Sequence, residues 1–399
     1  MKVRITFFRV LVCLFLFASI SCDDSGLSSH ANRPDTGNND NEENENNFIY
    51  DDILDWTIIS NSPFVDGDSI NNITYVGGKF FAIGNKVACS DDGIAWSRIR
   101  AFDDYPNRSS LIIIYGYGKF IAYGFGSRSP SDASLMYSDD GVNWLSINDN
   151  SNFFNSIIYA NNTFVAIING KELGYSDDGV NWTKVSVPSV FPIQIVPLYN
   201  SGNYISYGNG LFIIGGINGR MVYSYDNGVT WVAIVDDPFD SNDSIYARIT
   251  YIGGKFFASS DNKSAYSNDG IRWLPLQASN NISAQNIIYG EGMFVAITNA
   301  WNSIIYSNNG ITWTTMLDSQ FGGGNIYGLS FGGGRFAMIM THERIAYSNN
   351  GVNWEIRINN ILGIESGSFS KNIIFGSDRF IIYNKDTGKK AFSNLQYHE

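Results

Sequence analysis

CSDDGIAW at 89–96, YSDDGVNW at 137–144 and again at 175–182, YSYDNGVTW at 223–231, YSNDGIRW at 266–273, YSNNGITW at 306–313 and YSNNGVNW at 347–354 are seven renderings of one phrase. Its step of roughly 40 residues is that of a propeller or a solenoid. A second phrase, an aromatic followed by a glycine-rich turn and a phenylalanine, precedes each copy: YVGGKF at 75–80, YGYGKF at 115–120, YANNTF at 159–164, YGNGLF at 207–212, YIGGKF at 251–256, YGEGMF at 289–294 and FGGGRF at 331–336. An eighth, FGSDRF at 375–380, has no tryptophan phrase after it. The segments flanking each turn are short runs of β-branched and aromatic residues, which read as the two strands of a hairpin.

Each unit then contains four strands: A ending at the aromatic, B opening at the phenylalanine, C ending at the serine, and D carrying the tryptophan. Four antiparallel strands per unit make a propeller blade. The eighth unit stops after its C strand, KKAFSN at 389–394, whereas DWTII at 55–59 matches a D strand and stands before the first A strand. The expectation is an all-β, eight-bladed propeller over 51–399, closed by that N-terminal strand so that no edge stays open. Seven blades with one unit displaced is the alternative. Between C and D, pairs such as Asp140-Gly141 and Asn309-Gly310 predict type I′ turns. Serine and the acidic or amide side chain should accept hydrogen bonds from turn amides, and the tryptophan N–H should reach a carbonyl or water.

Bulk composition agrees. A chain of 399 residues exceeds what one hydrophobic core serves, and 40 glycines, 9 prolines and 15% aromatics suit many short strands joined by tight turns. Residues 1–21 have a basic start (Lys2, Arg4, Arg9) and an apolar run from Val10 too short to span a bilayer, the pattern of an export signal. Residues 22–50 are acidic and nearly free of large apolar side chains, a disordered tether with a reach of about 30 Å. Removing Lys2, Arg4 and Arg9 with the signal takes the formal charge from −12 to −15, which argues against nucleic acid as a partner. Cys89 occupies the tyrosine position of its repeat and reads as a buried strand residue.

The sequence Ser19-Ile20-Ser21-Cys22 resembles the lipobox of bacterial lipoproteins, in a relaxed form with serine where leucine is usual. The resemblance implies acylation of Cys22 and a place on the cell envelope, at the outer membrane, facing the periplasm or the cell surface. Ordinary secretion with cleavage near Ser21 is the other reading. The repeats themselves resemble the Asp-box, or BNR, motif of sialidase-like propellers. Ser224, Asp226, Gly228, Thr230 and Trp231 match that pattern in full, and the other six copies are one residue shorter between acid and glycine. The corresponding positions are Ser90, Asp92, Gly93 and Trp96; Ser138, Asp140, Gly141 and Trp144; Ser176, Asp178, Gly179 and Trp182; Ser267, Asp269, Gly270 and Trp273; Ser307, Asn309, Gly310 and Trp313; Ser348, Asn350, Gly351 and Trp354. The resemblance implies that these residues are structural and lie opposite the functional face.

It also raises glycoside hydrolysis, which in sialidases uses an arginine triad, a tyrosine with a glutamate, and an aspartate. The usual Phe/Tyr-Arg-Ile-Pro sequence is missing. Arg128, Arg220 and Arg344 could be assembled into a triad only on paper, and Glu172, Asp261, Glu291 and Glu343 are scattered loop acids. Three histidines, His30, His342 and His398, do not suggest a metal centre or a Ser-His-Asp system. No cofactor and no metal are expected, and no catalytic residue is assigned.

The A-to-B and C-to-D turns are uniform, so function is sought among the B-to-C and D-to-A connections, which vary. Seven of the eight B-to-C connections carry a cation, at Lys86, Arg128, Lys171, Arg220, Lys263, Arg344, and Lys385 with Lys389; the eighth offers Trp301 and Asn302. One reading is a basic ring for an anionic or carbohydrate ligand, the plainer one a set of solvated loop tips. The sequence thus predicts a monomeric, lipid-anchored binding or assembly module for a protein or glycan ligand, with glycoside hydrolase as the alternative.

Overall fold

The aromatic and the phenylalanine of every glycine-rich phrase face each other across a two-residue turn, from Tyr75 opposite Phe80 to Phe375 opposite Phe380. Their rings pack at 4.5 Å in the first blade and 5.0 Å in the last. Both turn residues are left-handed in all eight, including the non-glycine pairs Asn161–Asn162 and Ser377–Asp378. That is the signature of a type I′ hairpin, whose twist matches the twist of its strands.

The computed structural model describes residues 55–60, 62–65, 68–104, 111–124, 135–147, 153–188, 204–216, 220–235, 239, 248–259, 263–278, 284–298, 303–316, 321–358, 362 and 371–394. Eight antiparallel four-stranded blades follow one another. In order A to D, blade 1 is Ile70–Val76, Lys79–Gly84, Val87–Ser90 and Ser97–Arg98. Blade 7 is Ile326–Gly332, Arg335–Met340, Arg344–Ser348 and Glu355–Ile358. Blade 8 takes Lys371–Gly376, Arg379–Asn384 and Lys390–Asn394 from one end of the chain and Asp55–Ile58 from the other, with Trp56 opposite Ser393. The N-terminal closure expected from Trp56 is therefore present, and eight blades replace the seven-blade alternative. Blade 6 departs from the four-strand rule, because Gln277–Ala278 adds a short parallel strand outside Thr312–Met316.

Among the described residues the core is divided rather than single. Buried apolar residues form eight layers, each sandwiched between two successive blades, from Phe81 and Trp144 between blades 1 and 2 to Ile381, Tyr383, Phe80 and Trp96 between blades 8 and 1. The A strands touch their neighbours all the way round, including the closing pair of blades 8 and 1, so they form the inner wall of the ring. Distributing the core this way lets a long chain stay compact without one oversized interior.

The C-to-D connection is not the type I′ turn predicted for Asp-Gly. In blade 1 strand C ends at Ser90 and D starts at Ser97, and of Asp92 and Gly93 only the glycine is left-handed. Side chains hold this longer turn. Ser90 Oγ accepts the Gly93 amide at 2.8 Å and donates to Asp92 Oδ1, which itself accepts the amides of Ile94 and Ala95 at 2.8 and 2.9 Å. Trp96 Nε1 donates to the Gly93 carbonyl at 2.9 Å. The same serine and acid bonds recur at Ser138/Asp140, Ser176/Asp178, Ser224/Asp226, Ser267/Asp269, Ser307/Asn309 and Ser348/Asn350. Trp313, beside the extra strand of blade 6, is the exception, its buried indole N–H lacking a partner.

Since Asn309 and Asn350 accept the same amides as the aspartates, the turn needs an oxygen acceptor more than a charge. Asp178→Asn is expected to change stability at pH 7 by no more than about 0.5 kcal/mol, whereas Asp178→Ala, which strands those amides, should cost about 1 kcal/mol. Burial raises the Asp178 pKa, but the amides of Asn181 and Val180 outweigh it and bring it down to about 2. The unfolded chain therefore binds this proton first as pH falls, so the contribution is full above about pH 4 and is lost as pH falls through 2. Urea titrations at pH 7 and pH 2.5 should show Asp178→Asn closing its gap to wild type in acid. Equal losses for the Asn and Ala variants at pH 7 would contradict the acceptor role.

Candidate ligand-binding face

Antiparallel order sends the A-to-B and C-to-D turns to one end of every blade and the B-to-C and D-to-A connections to the other. The first end is uniform, built from the repeated I′ hairpins and the serine–acid turns. The second varies from blade to blade, and it carries the predicted ligand-binding residues.

Of these, Arg128, Trp301 and Asn302 lie outside the described residues, as do Asp261 and Cys22. Lys86 is tied down: its Nζ bonds Asp68 Oδ2 at 2.7 Å and the Pro63 carbonyl at 3.2 Å. Asp68 also accepts the Val65 amide and Asn85 Nδ2, both at 2.8 Å. Burial works against its charge, yet these donors, Lys86 foremost, hold its carboxyl below the usual value. Arg344 fans over main-chain carbonyls, donating to Phe321 and Gly323 and, through Nε, to Thr341 at 3.2 Å. Lys389 Nζ reaches the Leu362 carbonyl at 3.3 Å. Lys263 is half-buried, and Lys171 and Arg220 are exposed at their loop tips. Three of the seven described cations, Lys86, Arg344 and Lys389, thus clamp the connections of their own face, and an arginine triad would have to draw on a guanidinium already committed to carbonyls.

The candidate acids are not gathered. Glu172 bonds Lys184 at 2.9 Å and Asn169 at 3.2 Å, and the Lys184 bond leads in lowering its pKa. Glu291 sits in a left-handed hairpin position at the opposite end of blade 6, and Glu343 closes a one-turn 3-10 segment. Among the described residues no three His, Cys, Asp or Glu side chains meet as a metal site.

One feature of this face was missed in the sequence. The A strands of blades 1, 3, 6 and 7 each carry a bulge near their first residues, at Asn71, Asn155, Asn286 and Tyr327. These four are the seven-residue A strands, against four to six residues elsewhere. A bulge re-aims a side chain and bends its strand. Asn155 turns inward and accepts the Gly170 amide at 2.6 Å, whereas Asn286 is exposed and left-handed, with Asn72 and Arg248 exposed at nearby levels of the inner wall. The inner rim of the variable end therefore presents amide groups that both donate and accept.

No protein family and no curated protein sequence matches this chain. Solved structures do. The computationally designed Ika8 protein aligns with a TM-score of 0.55 at 9% identity, over 83% of this chain and 98% of its own. YCF48 bound to D1 peptide gives 0.48 at 14% identity, over 86% and 97%, and a streptogramin B lyase 0.49 at 13%, over 86% and 98%. At such identities the likeness is one of fold: this chain is similar to β-propellers.

Proposed function

We propose that this chain is exported, anchored through a lipid on Cys22, spaced from its membrane by the acidic segment 22–50, and employed as a non-catalytic binding or assembly module for a protein or glycan ligand. The observation that carries the reading is the contrast between the two ends of the ring. One end repeats the same side-chain-capped turn, Ser90/Asp92 through Ser348/Asn350, and the other changes in every blade while its loops are clamped by Lys86, Arg344 and Lys389. Rigid scaffolds with one diversified face are suited to recognition. The anchor rests on Ser19-Ile20-Ser21-Cys22, and the family reading on Ser224, Asp226, Gly228, Thr230 and Trp231, which support a place among Asp-box, sialidase-like propellers.

Site-specific photo-crosslinking in native envelopes tests the binding reading. A photoreactive residue at Lys171, Arg220 or Asn286 should trap one defined partner or glycan, and the same residue at Tyr117 or Tyr225 on the uniform end should trap none. Crosslinks confined to the uniform end would overturn it. In the same cells, Cys22→Ser should move the protein from the membrane to the soluble fraction; an unchanged distribution would remove the lipid anchor.

A further inference from the structure

Asparagine followed by glycine is the pair most prone to lose ammonia, because a glycine amide with no Cβ beside it can reach the asparagine side-chain carbonyl. Five such pairs lie among the described residues: Asn169-Gly170, Asn209-Gly210, Asn227-Gly228, Asn309-Gly310 and Asn350-Gly351; a sixth, Asn218-Gly219, lies outside them. In four of the five the glycine amide is already engaged. Gly170 N–H donates to Asn155 Oδ1 at 2.6 Å, and the amides of Gly228, Gly310 and Gly351 donate to Oγ of Ser224, Ser307 and Ser348 at 2.9, 2.9 and 2.8 Å. Asn209 and Gly210 are instead the two left-handed residues of the blade 4 A-to-B hairpin, closed by the register pair Gly208 and Leu211. Both are exposed, a Cβ built on Gly210 would meet nothing within 4 Å, and among the described residues no group accepts the Gly210 amide.

The carbonyl that this amide would attack is prepared for it. Tyr251 Oη donates to Asn209 Oδ1 at 2.7 Å, and Asn209 Nδ2 donates to the Asn268 carbonyl at 2.8 Å, so both ends of the side-chain amide are held. Oδ1 is the oxygen that takes up negative charge on attack, and a donor already in place lowers the cost of that charge. Tyr251 is itself fixed, its ring packed at 4.6 Å on Phe256 and lying against Gly208. Asn309 and Asn350 are polarised comparably, each Oδ1 accepting two turn amides. The unengaged glycine amide is therefore what sets Asn209 apart from them.

We propose that Asn209 is a site of spontaneous deamidation, assisted by Tyr251, with water as the only co-reactant. The Gly210 nitrogen gives its proton to a solvent base and attacks Asn209 Cγ; the Cγ–Nδ2 bond breaks and Nδ2 leaves as ammonia. Water then opens the resulting succinimide at either carbonyl, giving aspartate or isoaspartate. Both products lose the donor to the Asn268 carbonyl and set an oxygen against it, and isoaspartate also adds a backbone methylene to a two-residue turn. Asn268 belongs to the C-to-D turn of blade 5, where Lys255 holds its side chain at 2.7 Å, so the reaction loosens the junction between blades 4 and 5 as the protein ages. The site is on the uniform end and does not depend on the function assigned to the variable face.

Peptide mass spectrometry of the full-length protein, held in mildly alkaline buffer with and without urea, tests this. In urea the five pairs should react at similar rates. In the folded protein Asn209 should react about tenfold faster than the other four, the equivalent of their having first to break a hydrogen bond to the glycine amide. Ser307→Ala, which frees the Gly310 amide, should speed Asn309 by a similar factor and leave Asn209 unchanged. Tyr251→Phe, which keeps the ring and removes the donor, should slow Asn209 by at least about threefold. An Asn209 that reacts no faster than the engaged pairs in the folded protein would overturn the proposal, because the hairpin would then be holding Cγ away from the Gly210 nitrogen. An unchanged or faster rate in Tyr251→Phe would overturn it as well.

Discussion

Gly332→Ala is expected to destabilise the ring by about 3 kcal/mol or more, which lowers the thermal midpoint by roughly 5–10 °C. Gly332 ends strand A of blade 7, and a Cβ there would lie 2.0 Å from Phe375 Cγ of blade 8. Phe375 cannot simply swing away, because its ring is packed at 5.0 Å on Phe380 and belongs to the layer between blades 7 and 8. The contact is a general device. Tyr159 sits on Gly116, Tyr251 on Gly208, Phe331 on Gly290 and Tyr75 on Gly376, each within 2.4 Å of where a methyl would be. The aromatic that pairs with a phenylalanine in its own blade thus also lies on the backbone of the blade before it. Gly334, two residues on, provides the contrast: it is left-handed with open space around it, so Gly334→Ala meets only the conformational penalty of about 1–2 kcal/mol. If the contact governs, Gly332→Ala combined with Phe375→Leu should be less harmful than the sum of the two. Equal losses at Gly332 and Gly334 would mean that backbone conformation, and not inter-blade contact, makes these glycines necessary.

The ring could be read from the chain because its units repeat. A strand pair seen once is ambiguous, but eight aromatic-to-phenylalanine hairpins and an unpaired Trp56 leave one arrangement that closes without a free edge. The turn types were assigned to the wrong end of the phrase. Asp140-Gly141 has the composition of an I′ turn, but Ser138 and Asp140 can satisfy the turn amides themselves, and that local bonding takes over from the dipeptide preference. The true I′ turns include Tyr117–Gly118 and Glu291–Gly292, whose first residues no propensity would place at positive φ; the register of the flanking strands imposes it. On the variable face, position was legible and partnership was not. Lys86 lies on its B-to-C connection and Arg344 opens strand C just after its own, but their acceptors, Asp68 and the carbonyls of Phe321 and Gly323, belong to the preceding D-to-A connections and meet them only when the blade is folded. Asn286 was invisible for a related reason, since its exposure depends on a bulge defined by pairing with another strand.

The opposite effect on stability is expected at Lys390. Strand C of six other blades has Val87, Leu135, Leu173, Met221, Ile304 or Ile345 at this register position, all buried; blade 8 has a lysine that is only 1% exposed. Its Nζ donates to Ser62 Oγ at 2.5 Å and to the Gly388 carbonyl at 3.3 Å, and lies 4.7 Å from the Phe64 ring centroid and 5.6 Å from that of Trp96. Loss of hydration dominates, with attraction to Asp68 opposing it only in part, and the pKa is pushed down to about 8 from 10.5. The unfolded chain therefore holds a proton between those two values that the folded chain has released, so stability rises as pH climbs from 8 to 10.5. Below pH 8 the folded state carries a buried charge whose penalty is on the order of 3 kcal/mol. Lys390→Met removes it while giving up the Ser62 bond, worth about 1 kcal/mol, so the variant should be more stable by about 2 kcal/mol at pH 7. The gain should vanish as pH rises through about 10.5, above which wild type has shed its proton in both states. Urea titrations of both proteins at pH 7, 9 and 10.5 would show the curves converging. A variant less stable than wild type at pH 7 would mean that the two aromatic faces and Ser62 hold the ammonium more strongly than water does. The location gives the result meaning beyond stability: the Lys390 carbonyl accepts the Ile59 amide at 2.9 Å, so the burden falls on the junction where the N-terminal strand closes the ring.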